Sequence, residues 1–169
     1  MAIIGCTKKL LSELKEKPAE IQQIPSELSG WHANLFRVDR RKCILFTHDK
    51  TLYSLFIPGL LKTHFQNIIE VFSQNLFKSL LSENLTQNLI ELVLDDISKI
   101  KITKTNNRSV LGSMNDLIFH IKFVIAQNGG LMNTDIFELN HNLNRIPMGA
   151  IAMDYSIDAL KNLLENIKK

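Results

Sequence analysis

The sequence is poor in cysteine and contains no Cys-x-x-Cys motif. Cys6 and Cys43 are its only cysteines, and two cysteines do not make the disulfide framework of a small secreted domain. The histidines show no metal-ligand spacing, so we expect no metal site and no cofactor. A glycine-rich phosphate loop, a nucleophile elbow and a His-Glu-x-x-His motif are also missing. No recognised catalytic motif therefore indicates a reaction.

Long apolar runs are missing as well. None approaches the roughly 18 residues that a membrane-spanning helix needs. The segment 3–6 lacks the basic and apolar stretches that precede a lipoprotein cleavage site, and we expect a cytoplasmic protein. With 169 residues, of which 45% are apolar and 22% charged, we expect a single domain spanning residues 1–169. The net charge of +3 is too small to indicate nucleic-acid binding by itself.

Short segments rich in β-branched and aromatic residues predict five strands. The predicted strands cover about residues 2–6, 33–39, 43–47, 51–57 and 98–104. The middle three form an antiparallel meander, with its first tight turn at Arg40-Arg41. Consecutive apolar residues in this meander suggest a sheet that is covered on both faces.

Helical spacing of apolar residues is strongest between Leu61 and Leu80, where it continues over some twenty residues. Predicted helices begin after Thr7, near Leu61, near Thr86, at Ser109 or Ser113, near Asn133 and at Ser156. We therefore predict an α+β fold. Its sheet is mainly antiparallel, has four to five strands with a central meander, and is packed by three to five helices.

The densest polar part of the chain, residues 104–116, connects a predicted strand to a predicted helix; we name it the polar segment. Free N–H groups and the helix dipole favour an anion at such a place, and Arg108 adds a bidentate donor. The alternative is a turn at Asn106-Asn107 and a capping pair of Ser113 with Asp116. The candidate ligand-binding residues here are Lys104, Thr105, Asn106, Asn107, Arg108, Ser109, Ser113, Asn115 and Asp116.

The first predicted hairpin is the second candidate site. A basic turn can hold a nucleic-acid backbone by charge, although exposed turns are commonly charged because water solvates them. Arg37 lies within a predicted strand and needs a carboxylate partner, such as Asp39 or Asp116, if it is buried. The candidate residues of the hairpin are Arg37, Asp39, Arg40 and Arg41, and the basic Lys42 follows them.

Two further candidates lie outside these segments. Trp31, His32 and Asn34 stand at the start of the meander, where a histidine could act as a general base or bind a nucleobase edge. An isolated histidine is more often structural. Asn144 and Arg145 belong to a loop with Pro and Gly, which either closes over a ligand held by the polar segment or simply connects two elements.

Four long motifs are spread over the chain. They are Trp31-His32-Ala33-Asn34-Leu35, Asp39-Arg40-Arg41-Lys42-Cys43 with Phe46-Thr47, the run from Thr105 to Asp116, and Asn144-Arg145-Ile146-Pro147-Met148-Gly149. Together they resemble a family of small bacterial proteins classed as a domain of unknown function. The similarity covers nearly the whole chain from Gly5 onwards. It implies a bacterial, intracellular, single-domain protein and carries no catalytic assignment.

Three functions follow from these candidates, and we favour the first. It is the binding of an anionic ligand, a nucleic acid or a nucleotide, at the polar segment. The second is an enzyme acting on a phosphate ester or nucleobase, with Arg108 and Arg145 steadying charge and His32 moving a proton. The third is a protein-partner module of a toxin–antitoxin or defence system, with an apolar contact patch. We expect no membrane partner, and the sequence leaves the oligomeric state open.

Overall fold

The computed structural model describes all 169 residues and is built around one sheet. The strands are β1 (Ala2–Cys6), β2 (Gly30–Val38), β3 (Arg41–His48), β4 (Ser54–Leu60) and β5 (Ile100–Lys104). Their order in the sheet is β4-β3-β2-β1-β5. β2, β3 and β4 form an antiparallel meander, whereas β1 pairs in parallel with both β2 and β5. The predicted α+β class and the five strands with a central meander are confirmed.

Seven α-helices surround this sheet, which is more than the three to five predicted. They are α1 (Lys8–Leu14), α2 (Lys62–Gln66), α3 (Ile68–Ser82), α4 (Gln87–Asp96), α5 (Arg108–Gln127), α6 (Ile136–Leu143) and α7 (Ser156–Lys168). A small ribbon of β6 (Pro147–Met148) and β7 (Asp154–Tyr155) lies before α7. The long apolar pattern from Leu61 to Leu80 is divided between α2 and α3, because Asn67 leaves the helical conformation (φ −124°, ψ 36°).

Most strand boundaries differ from the prediction by one to three residues; for example, β2 begins at Gly30 instead of residue 33, and β4 at Ser54 instead of residue 51. The first turn is Asp39-Arg40 instead of Arg40-Arg41, and both residues adopt positive φ (48° and 65°). Such angles are typical of the two-residue type I′ turn that joins antiparallel strands. β4 also continues through Pro58 and Gly59, beside an irregularity in its pairing with β3. A proline is tolerated there because β4 is an edge strand.

The sheet is covered on both faces, as the consecutive apolar residues predicted. On one face Trp31, Phe46 and neighbouring side chains pack against α1, α3, α4 and α7. On the other face Phe36, Leu45 and Phe56 pack against α5 and α6. Side chains of a strand point alternately to its two faces. The meander therefore contributes to both hydrophobic clusters and holds α1 and α5 on opposite sides of β2.

Both outer edges of the sheet are partly closed by hydrogen bonds. At β4, the Asn140 amide bonds the N–H and C=O of Phe56 (2.7 and 3.0 Å). The Asn144 amide does the same at Ser54 (2.7 and 2.8 Å). At β5, the N–H of Ala19 donates to Ile102 O at 2.8 Å. The main-chain groups that an edge strand would otherwise leave open are thus partly satisfied.

α5 is the one helix that is long and apolar enough to cross a membrane by length and composition. We expected no such run from the sequence. Residues such as Met114, Leu117 and Ile121 face the sheet and are buried. A helix that packs one stripe of side chains on a sheet commonly has the same length and apolar composition. These two properties are therefore weak evidence of a membrane segment.

Candidate functional site

The polar segment caps a helix. The Asn107 side-chain oxygen accepts hydrogen bonds from the N–H groups of Ser109 (3.1 Å) and Val110 (3.2 Å), so the chain itself occupies donors that an anion would use. Because α5 begins at Arg108, Ser113 and Asp116 lie inside the helix and do not form the predicted capping pair. The side chains of Lys104, Arg108, Ser109, Asn115 and Asp116 are exposed, whereas Thr105 is half-buried and Ser113 buried.

His32 is buried beside the polar segment. Only 1% of its surface is exposed, its Nδ1 lies 2.6 Å from an Asp49 carboxylate oxygen, and its Nε2 lies 3.4 Å from the Asn106 main-chain nitrogen. Gly5 and Gly30 leave room for this pair, since a Cβ at either position would approach His32 or Asp49 within 3.0 Å. The arrangement holds the polar segment against the sheet and leaves His32 no exposed face for a substrate.

The other residues of the predicted meander site point elsewhere. Trp31 is buried on the opposite face of the sheet, against the rings of His48 and Phe72 (centroids 5.0 and 5.2 Å away). Asn34 is half-buried on β2. The structure therefore brings His32, but not Trp31, to the polar segment.

Asn144 and Arg145 lie against β4 and α3 instead of the polar segment. Asn144 is 1% exposed and its amide closes the β4 edge. The Arg145 guanidinium forms a two-pronged ion pair with Glu83 (3.1 and 2.6 Å). Glu83 also raises the pKa of Arg145. These contacts are structural, so the shared site predicted with Arg108 is not formed.

The first hairpin presents its arginines to solvent. Arg37 is exposed on β2, so it needs no buried carboxylate partner, and it donates to Arg40 O at 3.2 Å. Asp39 does not pair with Arg37. Its carboxylate accepts from the Leu131 N–H at 2.7 Å and thereby attaches the turn to the segment after α5. Arg37, Arg40 and Arg41 are left free to contact a ligand.

Two adjoining cavities of about 730 and 640 Å³ lie beside this hairpin. Both are lined by Ser12, Glu13, Arg37 and Lys42, and we name them together the basic groove. α1 and α2 border the larger cavity, whereas α1, β2 and Lys122 of α5 border the smaller one. The basic residues of the groove are Lys8, Lys9, Lys15, Arg37, Arg40, Arg41, Lys42, Lys62 and Lys122.

The charge of the groove is almost uncompensated. Nine of the 20 basic residues of the chain line it, but Glu13 is the only one of 17 acidic residues to do so. Glu13 pairs with Lys42, and the other eight basic side chains form no salt bridge. Clustered charge of one sign in a concave surface focuses the local potential. The groove is therefore the strongest candidate for anion binding on this protein.

Only part of this groove is evident from the sequence. The basic hairpin residues Arg37, Arg40, Arg41 and Lys42 are evident. The lysines of α1, α2 and α5 are not, and neither is Asp49 as the partner of His32. One signal was available, because a helix between two parallel strands must pack beside them. The lysines of α1 could thus have been placed near β2 if β1 and β2 had been recognised as parallel neighbours.

Neither cysteine is available as a nucleophile. Burial raises the pKa of Cys6 to about 12, and burial also raises the pKa of Cys43. Both side chains are therefore thiols at neutral pH and belong to the hydrophobic interior.

A comparison with known families identifies the chain. The family model described as Domain of unknown function (DUF6933) matches residues 3–159. The chain belongs to the DUF6933 family. This match includes all four motifs of the sequence analysis, and it confirms the resemblance to a domain of unknown function. No protein of curated function and no solved structure matches the chain, so DUF6933 membership by itself assigns no activity.

Proposed function

We propose that this DUF6933 protein is a binding module for a polyanionic ligand, which it holds in the basic groove. The observation that carries the proposal is the composition of the groove, with nine basic side chains and a single carboxylate. We therefore propose the first hairpin as the binding site instead of the polar segment, where Asn107 already caps the helix.

The physical basis is the combined action of several exposed cations on one ligand. Eight of the nine basic side chains are exposed, and Lys42 is half-buried. Each exposed charge alone is well screened and contributes little. Several cations acting on one polyanion release the counterions that surround it, and this release makes binding strong at low salt and weak at high salt. Nucleic acids and acidic proteins both have the necessary charge.

The proposal is tested with a labelled single-stranded oligonucleotide as a generic polyanion. Fluorescence anisotropy measures its affinity over a series of salt concentrations. We expect the double variant Arg40→Gln/Arg41→Gln to bind about tenfold less tightly at low salt. The slope of log affinity against log salt should fall by roughly 0.7 for each lost contact, the value typical of single strands.

The matched control removes two charges from the polar segment, with Lys104→Gln/Arg108→Gln. Neither residue lines the basic groove, so this variant should bind like the wild type. Equal losses in both double variants would mean that only net charge matters and would contradict a defined groove. A loss confined to the control would place the site at the polar segment.

A further inference from the structure

The second half of β2 has an open edge inside the sheet. β1 ends at Cys6, which lies opposite Ala33, and the last contact is the Thr7 N–H, which donates to Ala33 O at 3.2 Å. β2 continues to Val38. From Leu35 onwards, its only strand neighbour is therefore β3.

The main-chain groups of Leu35 and Arg37 point toward this open side. The two-residue turn makes Val38 and Arg41 a hydrogen-bonded pair of the β2–β3 ladder. Hydrogen-bonding direction alternates along a strand, so even-numbered residues of β2 bond β3 and odd-numbered residues face the opposite way. Ala33 follows this rule, since its C=O accepts from Thr7. The N–H and C=O of Leu35 and Arg37 consequently face the place where β1 would continue.

This edge differs from the outer edges of the sheet. Asn140 and Asn144 close β4, and Ala19 bonds β5, but no strand covers Leu35 and Arg37. Free strand edges favour the addition of another strand, and proteins usually close them or protect them with charge. Here the space beside the edge is the smaller cavity of the basic groove, and Leu35, Phe36 and Arg37 form its wall.

The positive side chains beside the edge favour a negatively charged occupant. Lys8 and Lys9 of α1 and Lys122 of α5 line the 640 Å³ cavity, and these two helices pack on opposite faces of the sheet. Arg37 and Lys42 add two more positive charges, and Glu13, which pairs with Lys42, is the one acid. An extended segment lying on the edge would pass between these lysines.

We propose that the ligand of this part of the groove is an extended acidic segment of a partner protein, which adds to β2 as a strand. Its main chain would bond the N–H and C=O of Leu35 and Arg37, and its carboxylates would meet Lys8, Lys9 and Lys122. This inference rests on the proposed function, because it names the class of polyanion. A nucleic-acid strand lacks the alternating N–H and C=O groups that match a strand edge.

The first test uses a labelled short peptide that alternates glutamate and valine. The same peptide, N-methylated at every second residue in either register, retains its charge but loses main-chain donors on one side. We expect one of the two methylated registers to bind about tenfold or more weakly than the parent. On addition of the parent peptide, amide hydrogen exchange at Leu35 and Arg37 should slow by about tenfold or more. Exchange is read residue by residue by NMR of the wild-type protein.

A pair of protein variants separates the main chain from the charge. Arg37→Gln removes the guanidinium and keeps the N–H, whereas Arg37→Pro removes both. The N–H of Arg37 makes no bond to β3, so proline should be tolerated at this open edge. We expect the proline variant to bind the peptide several-fold more weakly than the glutamine variant. If the proline variant does not fold, the exchange measurement on the wild type decides alone.

The outcomes distinguish the inference from the proposed function. Equal binding of all three peptides, with unchanged exchange at Leu35 and Arg37, would overturn strand addition and leave a groove that recognises charge alone. Tighter binding of an oligonucleotide with the same net charge as the peptide, again without slower exchange, would assign the groove to nucleic acid. If no probe binds at low salt, the proposed function fails and the inference fails with it.

Discussion

At the scale of single residues, the meander contains two histidines in contrasting surroundings. His32 lies against the Asp49 carboxylate, whereas His48 is fully buried and bonded to neutral groups. Nε2 of His48 lies 3.0 Å from Leu28 O, and Nδ1 lies 2.9 Å from the Thr51 hydroxyl. Burial lowers the pKa of His48, and the Leu28 carbonyl, Asp49 and Asp96 oppose this effect only in part. His48 is therefore held as a neutral ring.

This state of His48 predicts a loss of stability in mild acid. The folded-state pKa lies below the ordinary value of 6.5, so the unfolded chain binds more protons as the pH falls below about 6.5. The free energy of unfolding should then decrease with falling pH, by up to about 1.4 kcal/mol per pH unit from this group. Urea unfolding between pH 7 and pH 5 measures the slope.

The variant His48→Gln removes the titrating ring and should flatten this part of the pH dependence, whatever its effect on stability at pH 7. Other groups that titrate in this range remain in both proteins, so the difference between the two slopes isolates His48. Identical slopes for wild type and variant would show that His48 is not the source.

At the scale of elements, substitution of two glycines by alanine should have opposite effects on stability. In β1, a Cβ at Gly5 would lie 3.0 Å from His32 Nε2 and 3.3 Å from Lys104 O. In α5, a Cβ at Gly112 would meet nothing within 4 Å. At Gly5, packed neighbours take up the space that a Cβ would need. Gly112 lies at an exposed helical site, where glycine costs backbone entropy and relieves no contact.

We therefore expect Gly5→Ala to lower the free energy of unfolding by about 1–3 kcal/mol, because the His32–Asp49 pair must move. Gly112→Ala should raise it by about 0.5–1 kcal/mol, the usual gain of alanine over glycine inside a helix. Urea midpoints of both variants, measured side by side, check the two signs. A neutral Gly5→Ala would show that the histidine relaxes freely.

The elements were largely predictable from the sequence. The meander follows from segments rich in β-branched and aromatic residues, and β5 and α5 follow from alternating and helical spacing that packing reinforces. The first turn was placed one residue late, since the positive φ of Arg40 gives no compositional signal. The break at Asn67 was missed for a similar reason, because the apolar spacing continues across it.

The basic groove was less predictable than the elements. Its side chains come from α1, the β2–β3 hairpin, α2 and α5, and each group alone resembles an ordinary solvated surface. Only the parallel pairing of β1 with β2 brings α1 beside the hairpin. The polar segment was predicted as the binding site because its high density of polar residues is visible in the sequence. In the structure, its hydrogen bonds mostly cap the start of α5 and contact His32.

At the scale of the whole molecule, one ion pair joins layers on opposite faces of the sheet. Glu83 ends α3 on one face, and Arg145 follows α6 on the other. Their bidentate contact passes around the β4 edge, where Asn144 also holds Ser54. Glu83 is only 3% exposed. A carboxylate buried to this degree depends on its partner, since desolvation of a lone charge is costly.

The variant Arg145→Met should therefore lower the free energy of unfolding by about 2–3 kcal/mol. Breaking a fully buried pair costs about 3–5 kcal/mol, and the Arg145 side chain is 32% exposed, which reduces the effect. The double variant Glu83→Gln/Arg145→Met should recover part of the loss, because no charge is left buried.

Lys50→Met is the matched control. Its partner Glu27 is 64% exposed, so the change should cost at most about 0.5 kcal/mol. Equal urea midpoints for Arg145→Met and Lys50→Met would show that this contact does not hold the two layers together.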